Sequence, residues 1–338
     1  MRLIQLHDEP WDSGLAHYAL TLAGELKRRG HELQFWAKAG SWAYEKARSA
    51  GLATRQIRRP WAELPALRRE LREFKAELVN AHTGSSHSLA AALSAGIGFP
   101  LVRTRADARA AKTHALARVL ARRTAAFVAA HGGIALDLRR SFPGSRVEII
   151  PQGIEPLSAS ALPSEPNIGI LGRLDPVKGH ADLAEALARV PKARVLAAGS
   201  GRQLSELQAT LKQFGVEGRF ELLGFVDDLP SFVARCRVAV VASRGSEAVS
   251  RAGLEWMSAG RPLIATEVGC LPELVLDGVT GRLVPPQNPA KLAAAIDDCL
   301  ATPGRAEEWG RAGRARYESF YTVSGFAERT EKLYRELL

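Results

Sequence analysis

Short runs of apolar residues alternate with segments of helical periodicity through most of the chain. In the first half, runs typical of buried strands lie at residues 2–6, 33–37, 78–81, 101–104, 126–130 and 147–150. In the second half, the same pattern recurs at residues 168–171, 194–198, 220–223, 238–241, 262–266 and 281–284. Strands that alternate with helices form parallel sheets with right-handed crossovers. The pattern therefore predicts an α/β fold.

One segment without periodicity, residues 156–166, separates the two series of strands. It contains three prolines and three serines, which is typical of a linker. At 338 residues the chain is long enough for two domains. We therefore predict a first domain at 1–155, a linker at 156–166, a second domain at 167–318 and a final helical segment at 319–338.

The positive charge is confined to the first half of the chain. Residues 1–155 carry 24 Lys and Arg against 14 Asp and Glu, an excess of 10, whereas residues 156–338 carry 22 of each. A one-sided basic field attracts nucleic acid, an anionic lipid surface or a phosphorylated substrate. Nucleic acid is disfavoured, because the basic half lacks interleaved aromatic residues and any known nucleic-acid-binding motif.

Composition narrows the cellular context that we expect. No apolar run approaches the roughly 20 residues that span a bilayer. The apolar stretch at the start is too short for a signal peptide, and acids follow it at once. The three cysteines are far apart and odd in number, which favours neither a disulfide framework nor a metal cluster. We expect a cytoplasmic protein. Its positive charge would also allow peripheral contact with the inner face of the membrane.

A strand in the second half leads into a loop with two cations. Gly172 and Arg173 follow the strand directly, and Lys178 and Gly179 precede the next helix. A helix N-terminus offers free amide donors, and an arginine fork beside a lysine suits a diphosphate. By spacing alone, two solvated surface cations are an equally good interpretation.

Two glutamates frame the start of a later helix. Glu247 and Glu255 lie eight positions apart, which would be roughly 12 Å along a continuous helix. That span fits a nucleotide sugar from hexose to ribose, although a solvated helix face is the ordinary interpretation of such a pair. Val226, in the loop after another strand, is placed to frame a base with its backbone.

Polar residues also follow three strands of the first half. Ser13 and Gly14 lie between the first strand and its helix, where small residues let the backbone approach a phosphate. His82 follows the third run and could hydrogen-bond a hydroxyl group, or be a simple polar loop residue. An anion-facing cluster is expected after the fourth run, at Arg103, Arg105 and Arg109.

Several familiar sites are missing from the sequence. There is no dinucleotide fingerprint, no Gly-x-x-x-x-Gly-Lys-Ser/Thr phosphate loop, no Gly-x-Ser-x-Gly elbow and no His-Glu-x-x-His pair. No Asp-x-Asp sequence occurs either. We therefore expect neither a bound cofactor nor a divalent metal.

The motifs together resemble the retaining GT-B glycosyltransferases of family-4 type, over nearly the whole chain. The collinear elements are Gly172-Arg173…Lys178-Gly179, Glu247…Glu255, Gly260-Arg-Pro-Leu-Ile-Ala-Thr, Val268-Gly-Cys-Leu-Pro-Glu273 and Asp277-Gly-Val-Thr-Gly281. The resemblance implies two Rossmann-like doubly wound domains facing a cleft, with a C-terminal helix returning to the first domain. The first domain would bind the acceptor and the second the nucleotide sugar.

The resemblance also implies roles for individual residues. Arg173 and Lys178 would hold the donor diphosphate, Glu247 the donor sugar and Glu255 the ribose, and the catalytic set would be His82, Arg173, Lys178 and Glu247. Backbone groups of Gly172, Val249 and Ser250 would assist, and Ser13-Gly14 would face the phosphates. The family often has Glu-Gly-Phe-Gly where this chain has Glu247-Ala-Val-Ser250, a version that looks like bacterial envelope-polysaccharide and lipopolysaccharide-core enzymes.

The expected reaction moves a sugar from a nucleoside diphosphate to an acceptor hydroxyl with retention of configuration and without a metal. The basic first half favours an anionic acceptor, either a saccharide or a lipid-linked one, and an anionic membrane as a peripheral partner. Two alternatives stay open: a nucleotide-sugar epimerase of the same architecture, and a non-catalytic scaffold that binds sugar nucleotides. The scaffold is disfavoured because it would not need all four of the charged residues Arg173, Lys178, Glu247 and Glu255.

Overall fold

The computed structural model describes residues 1–245 and 247–338 and divides the chain into two compact units. Unit 1 contains Met1–Gly153 and Thr322–Leu338, and unit 2 contains Ile154–Tyr321. The predicted end of the first domain, at residue 155, lies two residues beyond this division.

Unit 1 is built on a seven-stranded parallel sheet. Its strands are β1 (Arg2–His7), β2 (Glu32–Lys38), β3 (Ala53–Ile57), β4 (Leu78–Ala81), β5 (Leu101–Arg105), β6 (Ala126–Ala129) and β7 (Val147–Ile149). They are arranged in the order β3-β2-β1-β4-β5-β6-β7. The apolar run of β4 is wholly buried in the middle of this sheet, as expected for a strand with helices on both faces.

Seven helices belong to unit 1. They are α1 (Gly14–Arg28), α2 (Trp42–Ser49), α3 (Leu64–Phe74), α4 (Gly84–Ser94), α5 (Ala115–Arg122), α6 (Gly132–Ser141) and, from the end of the chain, α14 (Val323–Leu337). The returning helix α14 is fixed by buried polar contacts: the Tyr334 hydroxyl accepts a hydrogen bond from the Asn80 amide at 2.8 Å. Phe326 also packs edge-on against Tyr18.

Unit 2 is built on a six-stranded parallel sheet. Its strands are β8 (Asn167–Leu171), β9 (Arg194–Ala198), β10 (Phe220–Gly224), β11 (Val238–Val241), β12 (Leu263–Thr266) and β13 (Gly281–Val284). They are arranged in the order β10-β9-β8-β11-β12-β13. Its helices are α7 (His180–Ala188), α8 (Leu204–Gln213), α9 (Leu229–Ala234), α10 (Arg251–Ser258), α11 (Leu271–Leu274), α12 (Pro289–Ala301) and α13 (Arg305–Phe320), with 3₁₀ turns at Pro176–Lys178 and Glu217–Arg219.

Each sheet reverses its strand order at one point, between β1 and β4 in unit 1 and between β8 and β11 in unit 2. At such a reversal the loops after the two strands diverge and leave a crevice at the carboxyl edge. The α/β fold with two doubly wound sheets and a returning C-terminal helix is thereby confirmed.

Strand β3 and helix α4 differ from the sequence pattern. The pattern does not predict β3, because the strand lies at the sheet edge and only one of its apolar side chains, that of Ile57, is buried. The pattern predicts the start of a helix at residue 88, whereas α4 begins four residues earlier, at Gly84. The Thr83 hydroxyl caps it by accepting from the Ser86 amide, and the Ser86 hydroxyl accepts in turn from the Thr83 amide.

The predicted linker at 156–166 belongs to unit 2, where buried contacts fix it. The Arg261 guanidinium donates to the Ser160 carbonyl at 2.9 Å and to its hydroxyl at 2.5 Å. The Leu157 amide donates to the Ser258 hydroxyl. Proline and serine prevent regular structure here, but their free carbonyl and hydroxyl groups are good acceptors for a buried arginine, and composition alone does not reveal this. Within the described residues, no helix is both long and apolar enough to cross a membrane.

Both units contain buried histidines that are neutral at pH 7. Burial lowers the pKa of His7 in unit 1 to about 4, and that of His180 in unit 2 to about 4. In the unfolded chain these rings take up protons near pH 6.5, whereas in the folded chain they do so only near pH 4. The contribution of each neutral histidine to the free energy of unfolding is therefore present above pH 6.5 and is lost as the pH falls below that value.

We predict that each of these histidines lowers the free energy of unfolding by about 1.5 kcal/mol between pH 6.5 and pH 5. Urea denaturation of the parent and of His180→Phe at both pH values measures the contribution. The variant keeps a buried ring without the titration, so its stability should fall less. Equal losses in the two proteins would contradict the assignment.

Candidate active site

The loop after β8 starts at a close approach between two backbone segments. A Cβ built at Gly199 would lie 1.9 Å from the Gly172 carbonyl oxygen, and the φ angle of Gly199 is 146°. The Gly172 amide donates to the Ala198 carbonyl at 3.0 Å. Glycine is therefore required at 199, since any side chain there would push the loop away from the sheet.

The same loop then places two cations at the carboxyl end of β8. Asp175 caps the 3₁₀ turn Pro176–Lys178 by accepting from the Val177 amide. The turn ends at Gly179, whose φ is 71° and where a Cβ would lie 1.9 Å from the Ala242 carbonyl oxygen. Lys178 is thereby held against the loop that follows β11. Arg173 is exposed, and its side chain makes no ion pair with any residue that the structure describes.

Lys178 is bound to a buried carboxylate. Its Nζ lies 2.5 Å from Oε1 of Glu247, and the Ser243 hydroxyl donates to the same oxygen at 2.5 Å. Glu247 is only 3% exposed. Its carbonyl oxygen accepts from the Cys270 amide at 2.7 Å, and a Cβ at Gly269 would lie 2.0 Å from that oxygen. The glutamate is therefore fixed both at its backbone and at its side chain.

Glu255 lies in the middle of α10. It is buried, and this burial raises the pKa of its carboxyl group, although Arg251 opposes the rise with a contact of 3.0 Å. Ser250, the residue before the helix, has a buried hydroxyl without a hydrogen-bond partner among the described residues. A buried orphan hydroxyl beside a helix N-terminus is a ready donor for a bound ligand.

The structure places Glu247 in the loop before the helix. The helix begins only at Arg251, so the rise of roughly 12 Å along a continuous helix does not apply to the two glutamates. Gly245 and the residues 248–250 have no regular secondary structure, and the backbone of Glu247 lies against Gly269. Val249 lies half-buried on this path. Val226 lies after the edge strand β10, two strands away from β8.

The predicted histidine of unit 1 is fully buried. His82 follows β4, and its Nε2 lies 2.7 Å from the Oε1 of Gln5. Because an amide oxygen only accepts, Nε2 carries the hydrogen and Nδ1, which has no partner among the described residues, is an acceptor. Burial, with His7 and Arg103 nearby, holds the pKa of His82 well below its usual range. The ring is neutral at pH 7.

Ser13 and Gly14 lie at the start of α1, after β1. The Ser13 hydroxyl accepts from the Ala16 amide and donates to Glu9 at 2.7 Å, so it is already used as the helix cap. Gly14 is the first residue of the helix and is exposed. No contact within the described part of unit 1 assigns either residue to a phosphate, and that role stays a prediction.

The three predicted anion-binding arginines line one open cleft of about 670 Å³ in unit 1. Arg103 is buried at its floor, Arg105 is paired with Asp107 and Asp137, and Arg109 is exposed at its edge. The apolar wall of this cleft, described below, was not predicted from the sequence. Leu116, which is exposed on helix α5, is the residue that marks this wall.

Sequence comparison matches both halves of the chain to glycosyltransferase families. Residues 13–156 match Glycosyltransferase Family 4, and residues 165–302 match Glycosyl transferases group 1. The two matches together cover more than four fifths of the chain. The chain belongs to the GT-B glycosyltransferases.

Solved structures of low identity share this fold. Anabaena Alr3699/HepE in complex with UDP has a TM-score of 0.88 at 20% identity, with all of both chains covered. The lipopolysaccharide outer core galactosyltransferase WaaB has a TM-score of 0.81 at 16% identity, also with both chains fully covered.

Curated relatives match over part of their length. Alpha-maltose-1-phosphate synthase of Mycolicibacterium smegmatis is 28% identical in an alignment of length 246, and the match covers 63% of this chain and 63% of the relative. D-inositol 3-phosphate glycosyltransferase of Segniliparus rotundus is 33% identical in an alignment of length 169, and the match covers 47% of this chain and 37% of the relative. This chain therefore spans less than two thirds of these two relatives.

We predict that Gly199→Ala lowers the free energy of unfolding by at least about 2 kcal/mol, because the new methyl group would collide with the Gly172 carbonyl at a positive φ. Gly218→Ala is the matched control, since its Cβ would meet nothing within 4 Å. Thermal and urea denaturation compare the two variants. Equal stabilities would show that the loop after β8 is not held by this contact.

Proposed function

We propose that the chain transfers a sugar from a nucleoside diphosphate to an acceptor hydroxyl, with retention of the anomeric configuration. The observation that carries the proposal is the cluster of Lys178, Glu247 and Ser243 at the strand reversal of unit 2, beside Arg173, which has no ion-pair partner among the described residues. Ligands of open parallel sheets bind at this position. The bound UDP in the solved HepE structure supports a nucleotide ligand for this fold.

Breaking the bond between the sugar and the diphosphate places negative charge on the leaving group. Lys178 has three N–H donors, so one can stay on Glu247 while another meets a phosphate oxygen. Arg173 offers a planar fork to the same diphosphate. Cations that are placed before the reaction stabilise the charge as it grows, which lowers the barrier.

The acids would then meet the neutral parts of the donor. Glu247 accepts from a sugar hydroxyl, and Glu255 accepts from the ribose diol, with the orphan hydroxyl of Ser250 as a further donor. The backbone groups of Gly172 and Val249 border this region, and Val226 would meet the base. We propose that these residues hold the donor without a metal ion.

Retention follows from a front-face route. The bond from the sugar C1 to the diphosphate oxygen breaks, and the acceptor oxygen bonds to C1 on the same face while its proton passes to a leaving-group phosphate oxygen. No carboxylate nucleophile takes part. His82 is neutral and buried, and we assign it no proton-transfer step.

The acceptor is proposed to be anionic, a saccharide or a lipid-linked molecule of envelope polysaccharide or lipopolysaccharide synthesis, with an anionic membrane as a peripheral partner. The excess of ten positive charges in residues 1–155 supports this. The likeness in fold to WaaB, a lipopolysaccharide outer core galactosyltransferase by name, agrees with such a role.

Release of nucleoside diphosphate from a panel of UDP-, GDP- and ADP-sugars, with and without EDTA, tests the activity. Release that needs an acceptor hydroxyl and is unchanged by EDTA supports the proposal. Conversion of the donor to its epimer without an acceptor would identify an epimerase instead, and binding without any turnover would identify a scaffold.

We predict that Arg173→Ala lowers kcat about 100-fold, because one preplaced cation is worth on the order of 3 kcal/mol in the transition state. Lys178→Ala should have at least the same effect, and its fold is checked by thermal unfolding because it leaves Glu247 without its partner. Lys212→Ala on the exposed face of α8 is the control. Near-normal turnover in both site variants would refute the roles of these cations.

We also predict that the KM for the donor rises as the pH falls through the raised pKa of Glu255, since the protonated carboxyl loses the negative charge that strengthens the hydrogen bonds it accepts from the ribose. The rise should begin at a higher pH than for an ordinary glutamate. Glu255→Gln should remove this pH dependence. A donor KM with the same acid limb in both proteins would exclude Glu255 as the titrating group.

A further inference from the structure

The open cleft of unit 1 combines two kinds of surface. The loop after β1, the N-terminal end of α4 and the end of β5 form a polar side, and α5 and α6 contribute to an apolar side. Its volume of about 670 Å³ is that of a site for a whole small molecule. All of its lining residues belong to unit 1.

The apolar side is lined by aromatic and leucine side chains. Phe127, which is buried, and Phe142, which is half-buried, stack with ring centroids 5.6 Å apart and planes 9° apart. Leu116 stands at the rim with 59% of its surface exposed and is available to a ligand in the cleft. Leu120 also lines the cleft but packs partly against the core of unit 1. An apolar wall of this kind gains free energy when a hydrocarbon or aromatic group covers it.

The floor holds a buried cation without an acidic partner in the described part of the chain. Arg103 is 5% exposed, and its Nη1 donates to the carbonyl groups of Ala81 and Thr104. Within residues 1–245 and 247–338, no carboxylate lies within ion-pair distance of its guanidinium. Burial lowers its pKa to about 10, so it remains charged at pH 7. Buried charges are normally paired, because desolvation is costly.

The neighbouring cations differ in what they already bind. Arg105 is held by Asp107 at 3.1 Å and by Asp137 at 3.3 Å, which neutralises it. The side chains of Arg109 and Lys112 make no ion pair with any described residue. Arg105 is therefore a structural residue of the cleft wall, and Arg103 is the buried cation that lacks a counter-charge among the described residues.

The acids of the cleft are also engaged. Asp8 accepts from the Thr83 hydroxyl, and Glu9 accepts from the Ser13 hydroxyl at 2.7 Å. Neither lies within ion-pair distance of Arg103 in the described part of the chain. The carboxylates of Asp107, Asp8 and Glu9 act on Arg103 only at longer range. An anion that entered the cleft would thus meet a guanidinium without an ion-pair partner among the described residues.

We propose that this cleft binds an amphiphilic acceptor, in which an anionic group on Arg103 is joined to an apolar group on the wall formed by Leu116 and Phe142. Calling this ligand an acceptor rests on the proposed transferase function, and the two surfaces of the cleft narrow the chemical class of that acceptor. A neutral saccharide would leave Arg103 unpaired, and a small phosphorylated sugar would leave the apolar wall in water. A flat bilayer cannot reach the cation at the floor, whereas a single molecule can.

Calorimetry with three soluble probes, in the absence of any sugar nucleotide, tests the proposal. Decyl phosphate, below its micelle concentration, has both features, decyl maltoside has only the chain, and glucose 6-phosphate has only the anion. We expect decyl phosphate to bind at least about 10-fold more tightly than either of the others. Equal binding of the neutral detergent, or of the sugar phosphate, would overturn the proposal.

Variants locate the two contacts. Arg103→Met should weaken decyl phosphate binding about 10-fold and Arg103→Lys should restore part of it, with Arg69→Met as an exposed control outside the cleft. Leu116→Glu changes an exposed rim residue and so keeps the fold, and Leu136→Glu, on an exposed part of α6, is its control. Loss of binding in the controls as well, or in neither site variant, would overturn the proposal.

The outcome is separable from that of the proposed function. Probe discrimination with no nucleoside diphosphate release from any donor would leave the cleft assigned and refute the transferase. Acceptor-dependent release of nucleoside diphosphate, without tighter binding of decyl phosphate than of the other two probes, would support the transferase and refute the assignment of the cleft. Binding of anionic vesicles by a protein that ignores monomeric decyl phosphate would identify a membrane surface and overturn the proposal for a single ligand.

Discussion

The contact between the Lys178 ammonium and the buried carboxylate of Glu247 is the interaction on which the site in unit 2 depends. A carboxylate that is 3% exposed is costly to desolvate, and the lysine at 2.5 Å and the Ser243 hydroxyl compensate that cost. The lysine is in turn held near the loop after β11 by the turn that ends at Gly179. One ion pair therefore joins the loops after the two strands at which the sheet reverses.

Unit 1 uses the opposite arrangement at its own carboxyl edge. There, Arg103 is buried against carbonyl groups and lacks a carboxylate partner among the described residues, whereas Arg105 nearby has two. Carbonyl oxygens hold a guanidinium in place without cancelling its charge. The positive charge of the first half thus includes the buried guanidinium of Arg103 and several exposed cations. The stacked rings of Phe127 and Phe142 supply an apolar surface beside it.

Much of the fold could be predicted from the sequence, because buried strands and amphipathic helices leave clear periodicities. Strand β3 leaves no such periodicity, because an edge strand needs little apolar surface. The composition of residues 156–166 indicates a linker, because the hydrogen bonds from Arg261 leave no pattern in it. The cations and acids of unit 2 could be found by motif. The contact of His82 with Gln5 and the ion pair of Arg105 with Asp137 could not, because both partners are distant in sequence.

We propose that the second unit binds a nucleoside diphosphate through its diphosphate group. Calorimetric titration with UDP, GDP and ADP, and with the corresponding nucleosides, measures this directly. We expect at least one nucleoside diphosphate to bind more tightly than its nucleoside, and this difference to be lost in a protein lacking both the Arg173 and Lys178 cations. Equal affinity for nucleoside and nucleoside diphosphate, or an advantage unchanged in that protein, would contradict it.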